Sequence, residues 1–117
     1  GGGKPNYDNP SVHYASRLLE QAGVCPRVMI DMSHANSNKD YHRQIHVAQD
    51  ICGQLREGES RIMGVMIESN LEQGSQPIGT PEQMIYGKSI TDACIGWEDT
   101  CGVLENLAQA SAARMAG

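Results

Sequence analysis

Three short apolar runs in this chain each lead into a side chain able to bind a metal. His34 follows Val28-Met29-Ile30-Asp31-Met32-Ser33, Glu68 follows the run from Ile62 to Ile67, and Asp92 follows Ser89-Ile90-Thr91. A neutral imidazole beside two carboxylates suits a divalent transition ion such as Mn2+, Fe2+ or Co2+. If the runs are adjacent parallel strands, roughly 4.8 Å apart, the three side chains emerge at one edge of one sheet and converge on one cation. Singly, each reads as an ordinary strand-end residue making a hydrogen bond. Three in register read as a metal centre, and hence as an enzyme site.

The elements that must position these residues are legible in the pattern. Asn9-Pro10 is a helix start, with a capping side chain and a proline suited to the first turn. Val12, Ala15, Leu18, Leu19 and Ala22 recur at helical spacing, and Gly23 supplies the stop. Residues 27–33 read as a strand and 33–38 as a polar loop. A helix over about 40–57 follows, with Tyr41, Ile45, Ala48, Ile51, Cys52 and Leu55 on one face, Gly53 interrupting it and Gly58 ending it. Arg61 to Ile67 is a second strand, apolar on consecutive positions as in a parallel sheet covered by helices on both faces. A loop rich in Gly and Pro runs from Ser69 to Lys88, long enough to be functional or disordered. Ser89 to Cys94 reads as a third strand. Trp97, Cys101, Leu104, Ala108 and Met115 define a closing amphipathic helix.

This alternation is that of an α/β fold. Three strands cannot close a barrel, and an open sheet this small leaves its edges bare. The economical expectation is the C-terminal part of a (β/α)8 TIM barrel, with about three strands and their helices. Such barrels take about 250 residues against 117 here, so residues 1–117 read as one segment of a single barrel domain cut at its front. In that fold catalytic groups sit at the C-terminal ends of strands, the place of His34, Glu68 and Asp92.

Composition excludes several classes. A hydrophobic fraction of 39% with 20% charged residues suits a globular protein, and a net charge of −5 offers no electrostatic case for nucleic acid or an anionic membrane. With four Tyr, one Trp and no Phe, there are few platforms for stacking single-stranded bases. The apolar runs are far shorter than the ~20 residues that span a bilayer. None of Cys25, Cys52, Cys94 and Cys101 forms a C-x-x-C pair, so reduced thiols in the cytoplasm are expected. Cys25, beside Pro26, is the one expected at the surface.

Other candidates are weaker. His42 and His46 stand four apart, a usable ligand spacing, but flank Arg43 on the polar side of their helix and read as solvated. Asp31, inside the first strand, is placed to orient a ligand or pair with a cation. The Gly1–Gly3 run allows a phosphate close to the backbone, on slight grounds. Cys94 reads as a structural thiol, and Met29, Met32, Met63 and Met66 as barrel filling. Lys39 and Lys88 border the inferred site, in reach of an anionic substrate.

The residues also resemble a known family. The stretch Val28-Met29-Ile30-Asp31-Met32-Ser33-His34-Ala35-Asn36-Ser37, then Gly64 to Ser69, then Tyr86 to Glu98, is similar to class I 3-deoxy-D-arabino-heptulosonate 7-phosphate (DAHP) synthases, as is Gly2-Gly3-Lys4-Pro5-Asn6-Tyr7. The resemblance runs essentially end to end and implies about the last third of the enzyme. It implies a metal-dependent, aldol-type condensation of phosphoenolpyruvate with erythrose 4-phosphate, releasing phosphate, at the first step of the shikimate pathway. It carries His34, Glu68 and Asp92 over as three of four metal ligands, the fourth being a cysteine outside this chain. It suggests that the metal polarises the aldehyde, with His34 and Asp92 as catalytic groups that also place water or aldehyde. The arginines and lysines that hold both phosphorylated substrates are upstream in the family, so the isolated chain is expected to be inactive. The competing reading is a non-catalytic half-barrel kept for association or regulation, although such a module has no need of all three ligands. A further metal-dependent barrel aldolase or hydrolase fits the residues alone. Exposed apolar surface on an open half-barrel points to a homo-oligomer or a partner fragment.

Overall fold

Parallel strands form where the sequence is most continuously apolar. In a computed structural model, which describes residues 3–117, strand β1 (Val28–Asp31) pairs with β2 (Ile62–Met66). Asp31 lies opposite Met66, and the Met32 amide continues the ladder by donating to the Met66 carbonyl at 2.9 Å. The chain segments leaving the two strands therefore depart from the same edge, which is what brings His34 and Glu68 together.

Helix α1 (Asn9–Gln21) precedes β1, α2 (Gln44–Arg56) connects β1 to β2, and α3 (Trp97–Ala116) closes the described chain. Asp8, rather than Asn9, caps α1 by accepting from the Ser11 amide, and Pro10 sits in the first turn. Asn9 turns its amide inward instead, donating to Gln54 Oε1 at 3.1 Å. The core is formed by Val12 of α1, Ile30 and Met32, Val47, Ala48, Ile51, Cys52 and Leu55 of α2, Ile62, Ile95, and Val103 and Ala110 of α3. The expected α2 face is thus the buried one, and Gly53 lies outward within an unbroken helix. The helix begins later than its pattern suggests: Tyr41–Arg43 is a separate 3-10 turn capped by Asp40.

Three expectations are corrected. Ser89 to Cys94 is not a strand; it touches the 69–76 loop through isolated bridges, Ser75 to Ser89 and Gly74 to Cys94, so the described sheet has two strands. The reason lies in its composition: Ile90 is 47% exposed, and with polar neighbours the segment has no apolar face to bury. The 69–88 loop is itself ordered by these bridges and by Gln76, whose side chain bonds Ile85 and Lys88. Second, α3 packs through Thr100, Val103, Leu107 and Ala110, not through the expected stripe. Trp97, Leu104 and Met115 on that stripe are 54%, 48% and 82% exposed. Both stripes have helical spacing, and contact with α2 selects the one that carries Val103 and Ala110. Third, the strands are not covered on both faces, since Met29 and Met63 are 65% and 67% exposed while Met32 is fully buried.

Candidate metal centre

The loop after β1 carries the first candidate ligand, His34. Ser33 is followed by a 3-10 turn, His34–Ser37, and His34 adopts φ of 51°, a left-handed backbone that a non-glycine residue holds only when its surroundings fix it. Several bonds do so. The Asp31 carboxylate accepts from the Ser33 amide through Oδ1 at 2.8 Å, and the Lys39 amide donates to the His34 carbonyl at 2.8 Å. Asn36 ties the turn back to the strand by donating to the Asp31 carbonyl at 2.7 Å. Asn38 and Lys39 also have positive φ, so the turn reverses sharply beside the site.

That turn aims the imidazole at two carboxylates. His34 Nε2 lies 2.8 Å from Glu68 Oε1 and 3.2 Å from Asp92 Oδ2, and the three ligand atoms fall within 4.8 Å of one another. On the other side of the ring, Nδ1 lies 2.8 Å from Asp31 Oδ2. With the Nδ1 proton donated to Asp31, a neutral ring points its Nε2 lone pair at two carboxylate oxygens. Three acceptors facing one another need a cation between them, either a proton or a metal ion. The donor set of imidazole nitrogen and two carboxylates fits a divalent ion.

The electrostatics agree. The hydrogen bond to Asp31, followed by the charges of Glu68 and Asp31, raises the His34 pKa above its ordinary 6.5. Burial pushes the Glu68 carboxyl up, offset in part by a hydrogen bond from Ser33 and by His34. Burial likewise raises the Cys94 thiol, which donates to the Asp92 carbonyl at 3.4 Å, so Cys94 is a protonated neighbour of the site.

Ser33, His34, Lys39, Tyr41, Glu68, Asp92 and Ala93 line a cleft of about 290 Å³. Lys39 is thus at the site as expected, whereas Lys88 does not line this cleft. A larger groove of about 670 Å³ adjoins it, and Gly3, Lys4, Asn36 and Lys39 are among its walls. Gly1 and Gly2 of the terminal glycine run lie outside the described residues. His42 and His46 are exposed and join no ligand group among the described residues, His42 stacking instead on Tyr41 with ring centroids 4.1 Å apart. All four cysteines are free, and Cys101 is exposed as well as Cys25. No helix among the described residues is long and apolar enough to cross a membrane. The residue that sequence reading passes over is Gln44, fully buried and bonded to the Glu68 backbone. A glutamine amid an amphipathic pattern carries no signal that it faces inward.

Comparison with known proteins matches this chain to one family. Residues 1–105 match the sequence model of the DAHP synthetase I family. The chain is 50% identical over 114 residues to the Phe-sensitive phospho-2-dehydro-3-deoxyheptonate aldolase of Escherichia coli, covering 97% of this chain and 33% of that protein. It is 51% identical over 117 residues to the phenylalanine-inhibited aldolase of the same name from Saccharomyces cerevisiae, covering 92% and 32%. A solved structure of phospho-2-dehydro-3-deoxyheptonate aldolase from Francisella tularensis superposes with a TM-score of 0.90 at 43% identity, over 97% of this chain and 33% of that one. The chain therefore spans about a third of the length of these relatives.

Proposed function

The chain belongs to the DAHP synthetase I family, and from that membership we propose that it forms part of an enzyme condensing phosphoenolpyruvate with erythrose 4-phosphate to DAHP and phosphate. In this reading residues 1–117 are the C-terminal segment of a single (β/α)8 barrel domain, and the rest of the barrel comes from sequence outside them. The coverage of its relatives supports this, as do the two open-faced strands. The assembled protein is a cytoplasmic homo-oligomer.

The observation that carries the reading is the convergence of His34 Nε2, Glu68 Oε1 and Asp92 Oδ2 within 4.8 Å at the strand ends. His34, Glu68 and Asp92 would hold a divalent ion, Mn2+, Fe2+ or Co2+. Such an ion supplies Lewis-acid polarisation of the aldehyde oxygen. Asp31 keeps the His34 Nδ1 proton, leaving Nε2 free as a ligand. Asp92, exposed to the cleft, keeps a second carboxylate oxygen with which it also orients the aldehyde or the water that adds at C2 of phosphoenolpyruvate, while His34, bonded to Asp31 through Nδ1 and facing the ion through Nε2, acts by ligation. Lys39 adds a positive charge in both the cleft and the groove for a phosphorylated substrate. The remaining cations needed by two phosphorylated anions lie elsewhere in the barrel, so the 117-residue chain alone is inactive.

The test is phosphoenolpyruvate consumption dependent on erythrose 4-phosphate, with Mn2+ or with a chelator, in the full-length protein that carries this chain. We expect chelator-sensitive turnover that Glu68→Ala abolishes. Turnover unaffected by both chelator and substitution would overturn the assignment of the site.

A further inference from the structure

Glu68 lies two residues beyond the end of β2, where the strand ladder no longer holds its peptide. A side chain from α2 holds it instead. Gln44, the first residue of α2, accepts from the Glu68 amide through Oε1 at 2.8 Å and donates from Nε2 to the Glu68 carbonyl at 3.0 Å. The same Nε2 lies 3.4 Å from the Tyr41 carbonyl. The Glu68 carbonyl takes a second bond from the Ile95 amide at 3.1 Å, and Ile95 is three residues beyond Asp92. The backbone of one residue, Glu68, thus joins α2, the end of β2 and the segment bearing Asp92.

Gln44 and Ile95 are both 0% exposed. An apolar side chain would fill this space without the cost of burying an amide. What a primary amide adds is a donor and an acceptor side by side, the pair a neighbouring strand would offer to a peptide. Gln44 is therefore placed to do what the sheet does not do at Glu68.

We propose that Gln44 is a positioning residue of the metal centre, fixing the Glu68 backbone relative to Asp92 and His34 while touching neither metal nor substrate. The proposal rests on the reading of His34, Glu68 and Asp92 as ligands.

The test uses the full-length protein titrated with Co2+, whose visible absorption reports the geometry of its ligands. Gln44→Met keeps the length of the side chain and loses both bonds. It is expected to weaken Co2+ binding roughly tenfold or more, as loss of an outer-shell partner does, and to change the absorption bands. Gln44→Glu retains the acceptor for the Glu68 amide and should fall between Met and wild type. A variant with a lowered thermal midpoint but wild-type Co2+ affinity and bands overturns the proposal, because a purely structural role would leave both unchanged. Hydrogen exchange in the metal-free wild type gives an answer even if neither variant folds. The Glu68 amide should be protected as strongly as the amides within β2, and exchange at the unprotected rate overturns the proposal. His34→Ala separates the two readings. If it leaves Co2+ binding intact, the assignment of the metal centre fails, whereas Glu68 amide protection still judges the clamp made by Gln44.

Discussion

At the scale of residues, the site is a cluster of carboxylates around one imidazole, and its behaviour with pH follows from that. Asp31 and Glu68 raise the His34 pKa, and burial raises that of Glu68. Both groups must be deprotonated to bind metal, so metal and protons compete. Metal affinity is expected to rise with pH and to level off only above the raised His34 pKa, higher than for an isolated histidine. In the metal-free protein the sign is reversed. A group whose pKa is raised on folding stabilises the fold below its unfolded pKa, and that contribution disappears as pH rises through the folded value. Asp31→Ala separates orientation from charge. The pH midpoint of Co2+ binding should move down because the His34 pKa falls back, while the affinity at high pH should drop about tenfold as the ring loses its anchor. Isothermal titration across pH checks both, and an unchanged high-pH affinity would remove Asp31 from the orienting role.

At the scale of elements, the two strands and the α2 face are legible because burial and periodicity coincide in them. Ala48, Ile51, Cys52 and Leu55 form a stripe that the core then covers. The third strand and the α3 face are not legible, for different reasons. Ser89 to Cys94 carries β-branched residues but lacks apolar neighbours to pair against. Helix α3 has two possible stripes, and its docking on α2 chooses between them. The chosen stripe ends at Arg114, whose Nη1 donates to the Glu59 carbonyl at 2.9 Å and the Ile62 carbonyl at 2.8 Å. This side chain fastens the end of α3 to the turn that starts β2. Arg114→Ala is expected to destabilise the fold by about 2 kcal/mol, the range for hydrogen bonds to a charged donor. Urea denaturation measures it, and a midpoint equal to wild type would show that the contact with α2 suffices.

At the scale of the whole molecule, the described chain is extended rather than closed. Its radius of gyration is 16.1 Å, against about 13 Å for a compact domain of this length. Tyr14, Met29, Met63, Ile78 and Tyr86 are each more than half exposed. Apolar surface on this scale seeks a cover. The isolated 117-residue chain is therefore expected to self-associate, with a sedimentation coefficient that rises with concentration, and Met63→Lys should weaken that association. A concentration-independent monomer in ultracentrifugation would mean that these faces are tolerated in water.

What the sequence determined by itself is the chemistry and its order along the chain: His34, Glu68 and Asp92 behind apolar runs, the helix between the first two, and motifs long enough to resemble one family. Those properties are local, set by side-chain type and by hydrophobic period. Tertiary structure alone decided how close the three candidate ligand atoms come, that Asp31 rather than solvent faces His34 Nδ1, and that Gln44 faces inward to Glu68. These depend on contacts between residues up to 58 positions apart. No periodicity encodes such contacts, because they exist only once the strand register and the packing of α2 have set the distances.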